Sequence, residues 1–264
     1  MKTYSHIEAR VENNIGHLAL NDPETLNSMT ADMMKELIAV LDIWEQDETV
    51  RVLVLEARGR AFSAGANKDF LQEIPAVSSF DIKNIIYRHF AGGTKKIRDF
   101  PKPTIAAMRG AATGAGLELA LACDFRIATK DAMLAETWIH LGLMDPLGGM
   151  SILPRLIGLA KANEMLLLGE RVSGEEAERI GLVNRAVDDD ALENTVLSWA
   201  KRLANGAPLA LQAMKEGIRR GLEQAPDAMA THNISIQSQL IHTEDFKEGV
   251  RALFSKEKPD FKGR

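Results

Sequence analysis

The first 150 residues alternate short apolar runs with stretches whose apolar residues recur at helical spacing, and this alternation constrains the fold most. Residues 51–56 are β-branched and almost continuously apolar, as in a strand that is covered on both faces. Thr30 precedes an apolar stripe at helical spacing, which predicts a capped helix there. This alternation predicts an α/β protein with a largely parallel sheet. From about residue 154 the pattern is helical, so we expect a core domain over residues 1–200 and a helical C-terminal region over residues 201–264.

Further elements follow from the same patterns. Three more strands are predicted, at residues 15–20, 104–108 and 125–128. A helix is predicted over residues 80–99, where Pro101 and Pro103 end it. The amphipathic stretch 208–224 predicts another helix, and its exposed face is expected to carry Lys215, Arg219 and Arg220.

The composition of the 264-residue chain is ordinary for a globular protein, with 45% hydrophobic and 26% charged residues. A net charge of −5 argues against a nucleic-acid-binding surface, which needs a basic face. The N-terminus lacks the apolar stretch of a secretory signal, and no apolar run approaches the roughly 20 residues that span a bilayer. The single cysteine, Cys123, suits a reducing compartment. We therefore expect a cytoplasmic protein that binds neither nucleic acid nor membrane.

The most informative motif is the segment 110–120, a run of small residues that opens a predicted buried helix. Its glycines allow close approach of a ligand, and a helix start presents free N–H groups and a positive dipole end. Glu118 lies inside this helix among leucines, where desolvation is expected to raise its pKa and make it a proton carrier. Backbone donors beside such a carboxylate are typical of an enzyme that stabilises an enolate.

Two other kinds of site fit the sequence less well. Gly114-Ala-Gly begins a dinucleotide-binding motif, but Leu119 occupies the position of its third glycine. Ser63 lies in a segment that resembles the nucleophile elbow of hydrolases, but residues 58–60 separate it from its strand and no Asp-then-His pair follows. The histidines show no metal-ligand spacing, so no metal site is predicted. A third interpretation combines the two glycine segments in one site. In that site, N–H groups from residues 65–66 and 114–115 donate to one carbonyl oxygen of a ligand.

Taken together, these motifs resemble the crotonase, or enoyl-CoA hydratase/isomerase, superfamily over residues 15–264. The segments that carry the resemblance are 21–23 with 26–27, 62–67, 110–124, 153–158, 181–184 and 259–261. The resemblance implies a crotonase-like spiral of ββα units that binds an acyl-CoA, and a helical C-terminal trimerisation region. It also implies a homotrimer or a hexamer built from two trimers. No metal or redox cofactor is implied, because coenzyme A is part of the substrate.

The resemblance also implies roles for particular residues. The N–H groups of Ala66 and Ala115 match the oxyanion hole, and Glu118 matches the first catalytic glutamate of the hydratases. The expected substrate-binding residues are Ala64, Asn67, Lys68, Gly114, Trp138 and His140. Lys68, or Lys256, Lys258 and Lys262 from a neighbouring subunit, would meet the phosphates of coenzyme A, since Glu24-Thr25 stands where members commonly have a basic residue.

The chain departs from the family at the second catalytic position. Hydratases and many isomerases carry a second glutamate four residues before the glycine that matches Gly142, and Trp138 stands there in this chain. Asp145 is expected as a second catalytic group and Glu136 as another substitute, although each is also compatible with a structural role. The sequence leaves open hydration, single-carboxylate isomerisation, carbon–carbon bond hydrolysis, and acyl-CoA binding without catalysis.

Overall fold

The structure is a computed structural model that describes residues 4–264, with the side chains of residues 85–87 outside the description. Residues 1–3 of the N-terminal segment also lie outside the described residues. Nine strands are described there: β1 (Ile7–Glu12), β2 (Ile15–Leu20), β3 (Val52–Ala57), β4 (Thr104–Met108), β5 (Ala111–Thr113), β6 (Phe125–Thr129), β7 (Met133–Ala135), β8 (Arg171–Ser173) and β9 (Arg185–Val187).

The helices of the described residues alternate with these strands in the first half and dominate the second half. They are α1 (Ala31–Gln46), α2 (Lys68–Glu73), α3 (Ser79–Ile85), α4 (Ala91–Asp99), α5 (Ala115–Leu121), α6 (Gly149–Leu167), α7 (Gly174–Arg179), α8 (Leu192–Ala204), α9 (Pro208–Gly221), α10 (Pro226–Leu240) and α11 (Glu244–Ser255). A π-helical turn, Ile86–Phe90, joins α3 to α4, so the helix predicted over residues 80–99 is interrupted in its middle. All of the predicted strands and the α/β class are confirmed.

The main sheet has the strand order β1-β2-β3-β4-β6-β9. The β1–β2 pair is antiparallel and every other pair is parallel, with Leu18 opposite Leu55 in the β2–β3 register. A smaller sheet, β5-β7-β8, pairs β5 with β7 in parallel and β7 with β8 antiparallel. Parallel pairing brings the carboxyl ends of β3 and β4 to one edge, where the glycine-rich segments begin.

Helices cover both faces of the main sheet, which explains the continuously apolar strand in the sequence. Val52 and Val54 of β3 face α8, where they pack in a cluster with its residue Val196. Leu53 and Leu55 face the opposite way, into the larger core that includes α1. Successive side chains of a strand point to opposite faces, so a strand between two helical layers must be apolar at every position.

The C-terminal region is helical, as expected, but one of its predicted surfaces is wrong. Lys215 of α9 is buried rather than exposed, and its Nζ lies 2.7 Å from Asp124 Oδ2 and 3.1 Å from the carbonyl oxygen of Lys102. A lysine at this position therefore anchors α9 to the sheet. The predicted domain boundary at residue 200 falls inside α8, which packs on the sheet, and the division into two parts stays a prediction.

Within residues 4–264, no helix of the structure is long and apolar enough to cross a membrane.

Candidate active site

The two glycine-rich segments lie in direct backbone contact. Ser63 N–H donates to the Ala111 carbonyl at 3.0 Å, Thr113 N–H donates to the Ser63 carbonyl at 3.0 Å, and the Thr113 hydroxyl donates to the Ala64 carbonyl at 2.9 Å. A Cβ on Gly65 would lie 2.6 Å from the Thr113 carbonyl oxygen, closer than any real contact. Because Gly65 also has a φ of +89°, this crossing of two chains requires glycine.

Each segment contributes an uncommitted backbone donor to this crossing. Ala115 is the first residue of α5, so its N–H has no acceptor within the helix. Its nitrogen lies 3.6 Å from the position that a Cβ on Gly65 would occupy. In the described part of the chain, neither the Ala66 N–H nor the Ala115 N–H donates a hydrogen bond. The structure thus brings together the two segments that sequence reasoning combined into one site.

Glu118 lies one turn inside α5 and is 1% exposed. Both of its carboxyl oxygens are buried, and neither has a hydrogen-bond partner among the residues that the structure describes. No described side chain or backbone group engages this carboxyl, which leaves it available to exchange a proton with a bound ligand. A buried carboxyl without a partner destabilises a fold, which makes it a candidate functional group. Glu118 differs from the similarly buried Glu136 because it lies on the helix that begins with the Ala115 N–H.

An apolar cavity of about 390 Å³ adjoins Ala66. Trp138 forms part of its wall, and the other lining residues come from α2, α3 and the segments around residues 75, 90 and 143–147. The lining residues are Ala66, Phe70, Leu71, Ile74, Pro75, Ile82, Phe90, Trp138, Leu143, Met144, Pro146 and Leu147. The position next to a candidate oxyanion donor makes this cavity, hereafter the acyl cavity, the candidate site for an acyl group.

Trp138 lies between the acyl cavity and the helix start that carries Ala115. It begins a short 3₁₀ turn, Trp138–Leu141, and its Nε1 lies 3.7 Å from the position of a Cβ on Gly114. This indole N–H is buried and lacks a hydrogen-bond partner among the described residues. His140 lies apart from this group, because its exposed ring contacts Gly169 and is not part of the acyl cavity.

Asp145 and Glu136 flank Gly149 at the start of α6. Asp145 Oδ1 accepts the N–H groups of Leu147 at 2.8 Å and Gly148 at 3.1 Å, and Oδ2 accepts the Met150 N–H. Asp145 therefore satisfies free donors at a helix start. Glu136 is 1% exposed, neither of its oxygens has a partner within the described chain, and burial raises its pKa well above the ordinary value. Like Glu118, neither residue is among those that line the acyl cavity.

The remaining expected binding residues lie around the first glycine segment. Asn67 caps α2, where its Oδ1 accepts the N–H groups of Asp69 at 3.0 Å and Phe70 at 3.3 Å. Ala64 and Lys68 are exposed, and the ion pairs of the described residues include none with Lys68. The tail lysines follow α11, and Lys262 pairs there with Asp260 at 2.6 Å.

Sequence reasoning missed most of the acyl cavity. Phe70, Leu71 and Ile74 follow the first glycine segment at spacings of one and three residues, which is the spacing of one helical face. Ile82 and Phe90 come from the interrupted helical segment further along the chain. The helical spacing was a usable signal, but only the fold brings these side chains into one cavity with Leu143 and Met144.

Comparisons with known proteins identify the family to which this chain is similar. The family model described as enoyl-CoA hydratase/isomerase matches residues 10–264. A protein of Rhizobium meliloti named probable enoyl-CoA hydratase is 35% identical, with 99% of this chain and 100% of the relative covered. The 1,2-epoxyphenylacetyl-CoA isomerase of Escherichia coli is 33% identical, with 98% of each chain covered.

Among solved structures, one titled putative enoyl-CoA hydratase, from Streptomyces coelicolor, matches with a TM-score of 0.95 and 30% identity. That likeness covers 100% of this chain and 96% of the other. The fold expected from the resemblance is confirmed. On the family model and on relatives matched over their whole length, the chain belongs to the enoyl-CoA hydratase/isomerase family.

Proposed function

We propose that this acyl-CoA-processing enzyme moves a proton within an enoyl-CoA thioester, using one carboxyl group and two backbone donors. The N–H groups of Ala66 and Ala115 form the oxyanion hole, and Glu118 is the acid/base. One observation carries this proposal. Within the described residues, a buried carboxyl without a partner lies on the helix whose first N–H group is next to the other glycine-rich segment.

The reaction follows from this arrangement. The two N–H groups polarise the thioester carbonyl and stabilise the negative charge that develops on its oxygen when a proton leaves the α-carbon. Glu118, as the carboxylate, accepts that proton. Returning it to the γ-carbon of a 3-enoyl thioester moves the double bond from C3–C4 to C2–C3 and restores the carboxylate. The electron pair travels through the dienolate, so the step balances without any co-reactant.

Isomerisation is favoured over hydration because this chain lacks the second catalytic glutamate of the hydratases. Adding water across a double bond in this family ordinarily uses a second glutamate, and Trp138 occupies that position. Asp145 is engaged by three backbone N–H groups, which occupy its carboxyl oxygens and leave it unsuited to the role of that second acid. Hydration with Glu118 alone is the second candidate, because several relatives are named enoyl-CoA hydratase.

The test follows a short trans-3-enoyl-CoA and a trans-2-enoyl-CoA by ultraviolet absorbance, with the products identified by mass. The proposal expects the conjugated thioester to form from the first substrate in the wild type and not in Glu118→Gln. Loss of conjugation from the second substrate with a gain of one water would establish the hydratase. Trp138→Glu is expected to raise hydration by supplying the second carboxyl. Thioester binding without turnover of either substrate would instead establish a binding protein.

The active form is proposed to be a homotrimer or hexamer, cytoplasmic and without a metal or redox cofactor. The C-terminal helices support assembly, because they leave large apolar side chains exposed in a single chain. Examples are Ile234 on α10 with Leu253 and Phe254 on α11. Light scattering behind size exclusion is expected to give three or six subunits, and prolonged chelator treatment is expected to leave activity unchanged. A stable monomer, or activity lost with the metal, would overturn these statements.

A further inference from the structure

The acyl cavity is lined by apolar side chains from separate parts of the chain. Phe70, Leu71 and Ile74 come from α2 and the turn after it, and Leu143 and Met144 come from the segment before α6. Of the described residues that line this cavity, none carries a charge, and nearly all of the surface that they present to it is apolar. Such a wall offers no partner to a charged or strongly polar group on a ligand.

The volume of the cavity limits the size of its occupant. An apolar protein cavity of about 150 Å³ holds benzene, which has six carbon atoms. At the same density, the volume of about 390 Å³ has room for about fifteen carbons. Because the acyl cavity is open at one end and is not filled completely, a smaller acyl group than this limit is expected.

We propose that the acyl cavity selects hydrocarbon acyl groups of about eight to twelve carbons, aliphatic or aryl, and rejects acyl groups that end in a carboxylate. The inference rests on the proposed function, since the carbonyl must lie at Ala66 for the acyl chain to enter this cavity. It goes beyond that function because it specifies a substrate class that the oxyanion hole and Glu118 do not determine.

The expected selectivity follows from burial. Each methylene that leaves water contributes about 0.8 kcal/mol, which is about fourfold in affinity. Four extra methylenes would give about 200-fold if all were fully buried, and the open end of the cavity lowers this expectation to at least about 20-fold. A terminal carboxylate would lose its hydration without gaining a partner, so the expected affinity is at least about 100-fold below that of the matching hydrocarbon.

The experiment measures calorimetric binding of saturated thioesters, which are not turned over. The ligands are butanoyl-CoA, octanoyl-CoA, phenylacetyl-CoA and octanedioyl-CoA, with free coenzyme A as the reference. Octanoyl-CoA or phenylacetyl-CoA is expected to bind at least about 20-fold more tightly than butanoyl-CoA, and the tighter of the two identifies an aliphatic or an aryl acyl group. Octanedioyl-CoA is expected to bind no better than butanoyl-CoA.

Two outcomes separate failure of this inference from failure of the proposed function. If all four thioesters bind more tightly than coenzyme A but equally well, the selectivity is overturned and acyl-CoA binding stands. If none binds more tightly than coenzyme A, the proposed function falls together with the selectivity. Equal affinity for octanoyl-CoA and octanedioyl-CoA also overturns the proposed rejection of charged acyl groups.

Two variants tie the selectivity to this cavity. Ile74→Trp places a larger side chain in the acyl cavity and reduces its volume. This variant is expected to reduce the preference for octanoyl-CoA over butanoyl-CoA to less than about fivefold. Met144→Lys places a cation at the rim, where Met144 is 68% exposed, and is expected to strengthen octanedioyl-CoA binding by about fivefold. Met150→Lys is the matched control, since Met150 is also exposed but does not line the cavity. An unchanged preference in a folded Ile74→Trp protein, checked by circular dichroism, would place the acyl group elsewhere.

Discussion

The attachment of α9 to the sheet depends on one buried lysine, and Lys215→Met tests how much stability it contributes. Lys215 Nζ lies 2.7 Å from Asp124 Oδ2, and Asp124 in turn accepts the N–H of Thr104 at 2.8 Å and its hydroxyl at 3.0 Å. Methionine keeps most of the aliphatic stem of lysine and removes the charge. The substitution therefore removes the ion pair and the hydrogen bond to the Lys102 carbonyl while it keeps most of the packing of the helix.

The magnitude follows from the exposure of the two partners. Removing one partner of a fully buried ion pair costs about 3–5 kcal/mol, because the other charge is left buried and unpaired. The Lys215 side chain is 8% exposed, but that of Asp124 is 27% exposed and keeps both hydrogen bonds from Thr104. The free energy of unfolding is therefore expected to fall by about 2–3 kcal/mol, below the range for a fully buried pair.

Urea denaturation followed by circular dichroism measures this change, with the slope against urea compared between variants. Lys201→Met is the matched control, since Lys201 is exposed on α8, and a change below about 0.5 kcal/mol is expected. A loss below about 1 kcal/mol in Lys215→Met would refute the reasoning, because Asp124 would then have enough contact with water to tolerate the missing cation.

Two further perturbations test the site and its surroundings. Gly65→Ala is expected to lower turnover at least about 100-fold, because a Cβ would lie 2.6 Å from the Thr113 carbonyl and displace the adjacent donor; Gly217→Ala on α9, where a Cβ meets ordinary contact, is the control. Glu136 has a pKa raised by burial, so the native state keeps a proton that the unfolded chain releases above its ordinary value of 4.5. The stability of the wild type should therefore fall relative to that of Glu136→Gln as the pH rises above 4.5, and parallel urea midpoints would contradict this.

Local pattern was sufficient for the parts of the fold that one segment determines by itself. Val52 and Val54 alternate with Leu53 and Leu55 between two helical layers, and both layers demand apolar residues, so the strand was predictable. The helix that carries Glu118 was also predictable, because its small residues and leucines indicate a buried helix. The motif was informative because the Ala115 N–H and the Glu118 carboxyl lie within one turn of the same helix.

Long-range contacts account for what the sequence did not reveal. Lys215 lies on an amphipathic helix and looks like a surface residue until Asp124 and the Lys102 carbonyl meet it from the sheet. Asp145 looks like a candidate catalytic acid until three backbone N–H groups at the start of α6 bind it. His140 lies two residues beyond Trp138, yet the 3₁₀ turn between them directs its ring to Gly169. Each of these three side chains is positioned by residues that are distant in the sequence or by the turn that the local chain adopts.

The central claim is that Glu118 transfers a proton to and from an acyl-CoA whose enolate is held by two backbone donors. Its most direct test is deuterium incorporation from D₂O into the acyl group of a trans-3-enoyl-CoA, measured by mass spectrometry for the wild type and Glu118→Gln. The account predicts that exchange falls at least about 100-fold in the variant while thioester affinity stays near the wild-type value. Equal exchange in the two proteins would contradict it and assign the proton transfer to another group.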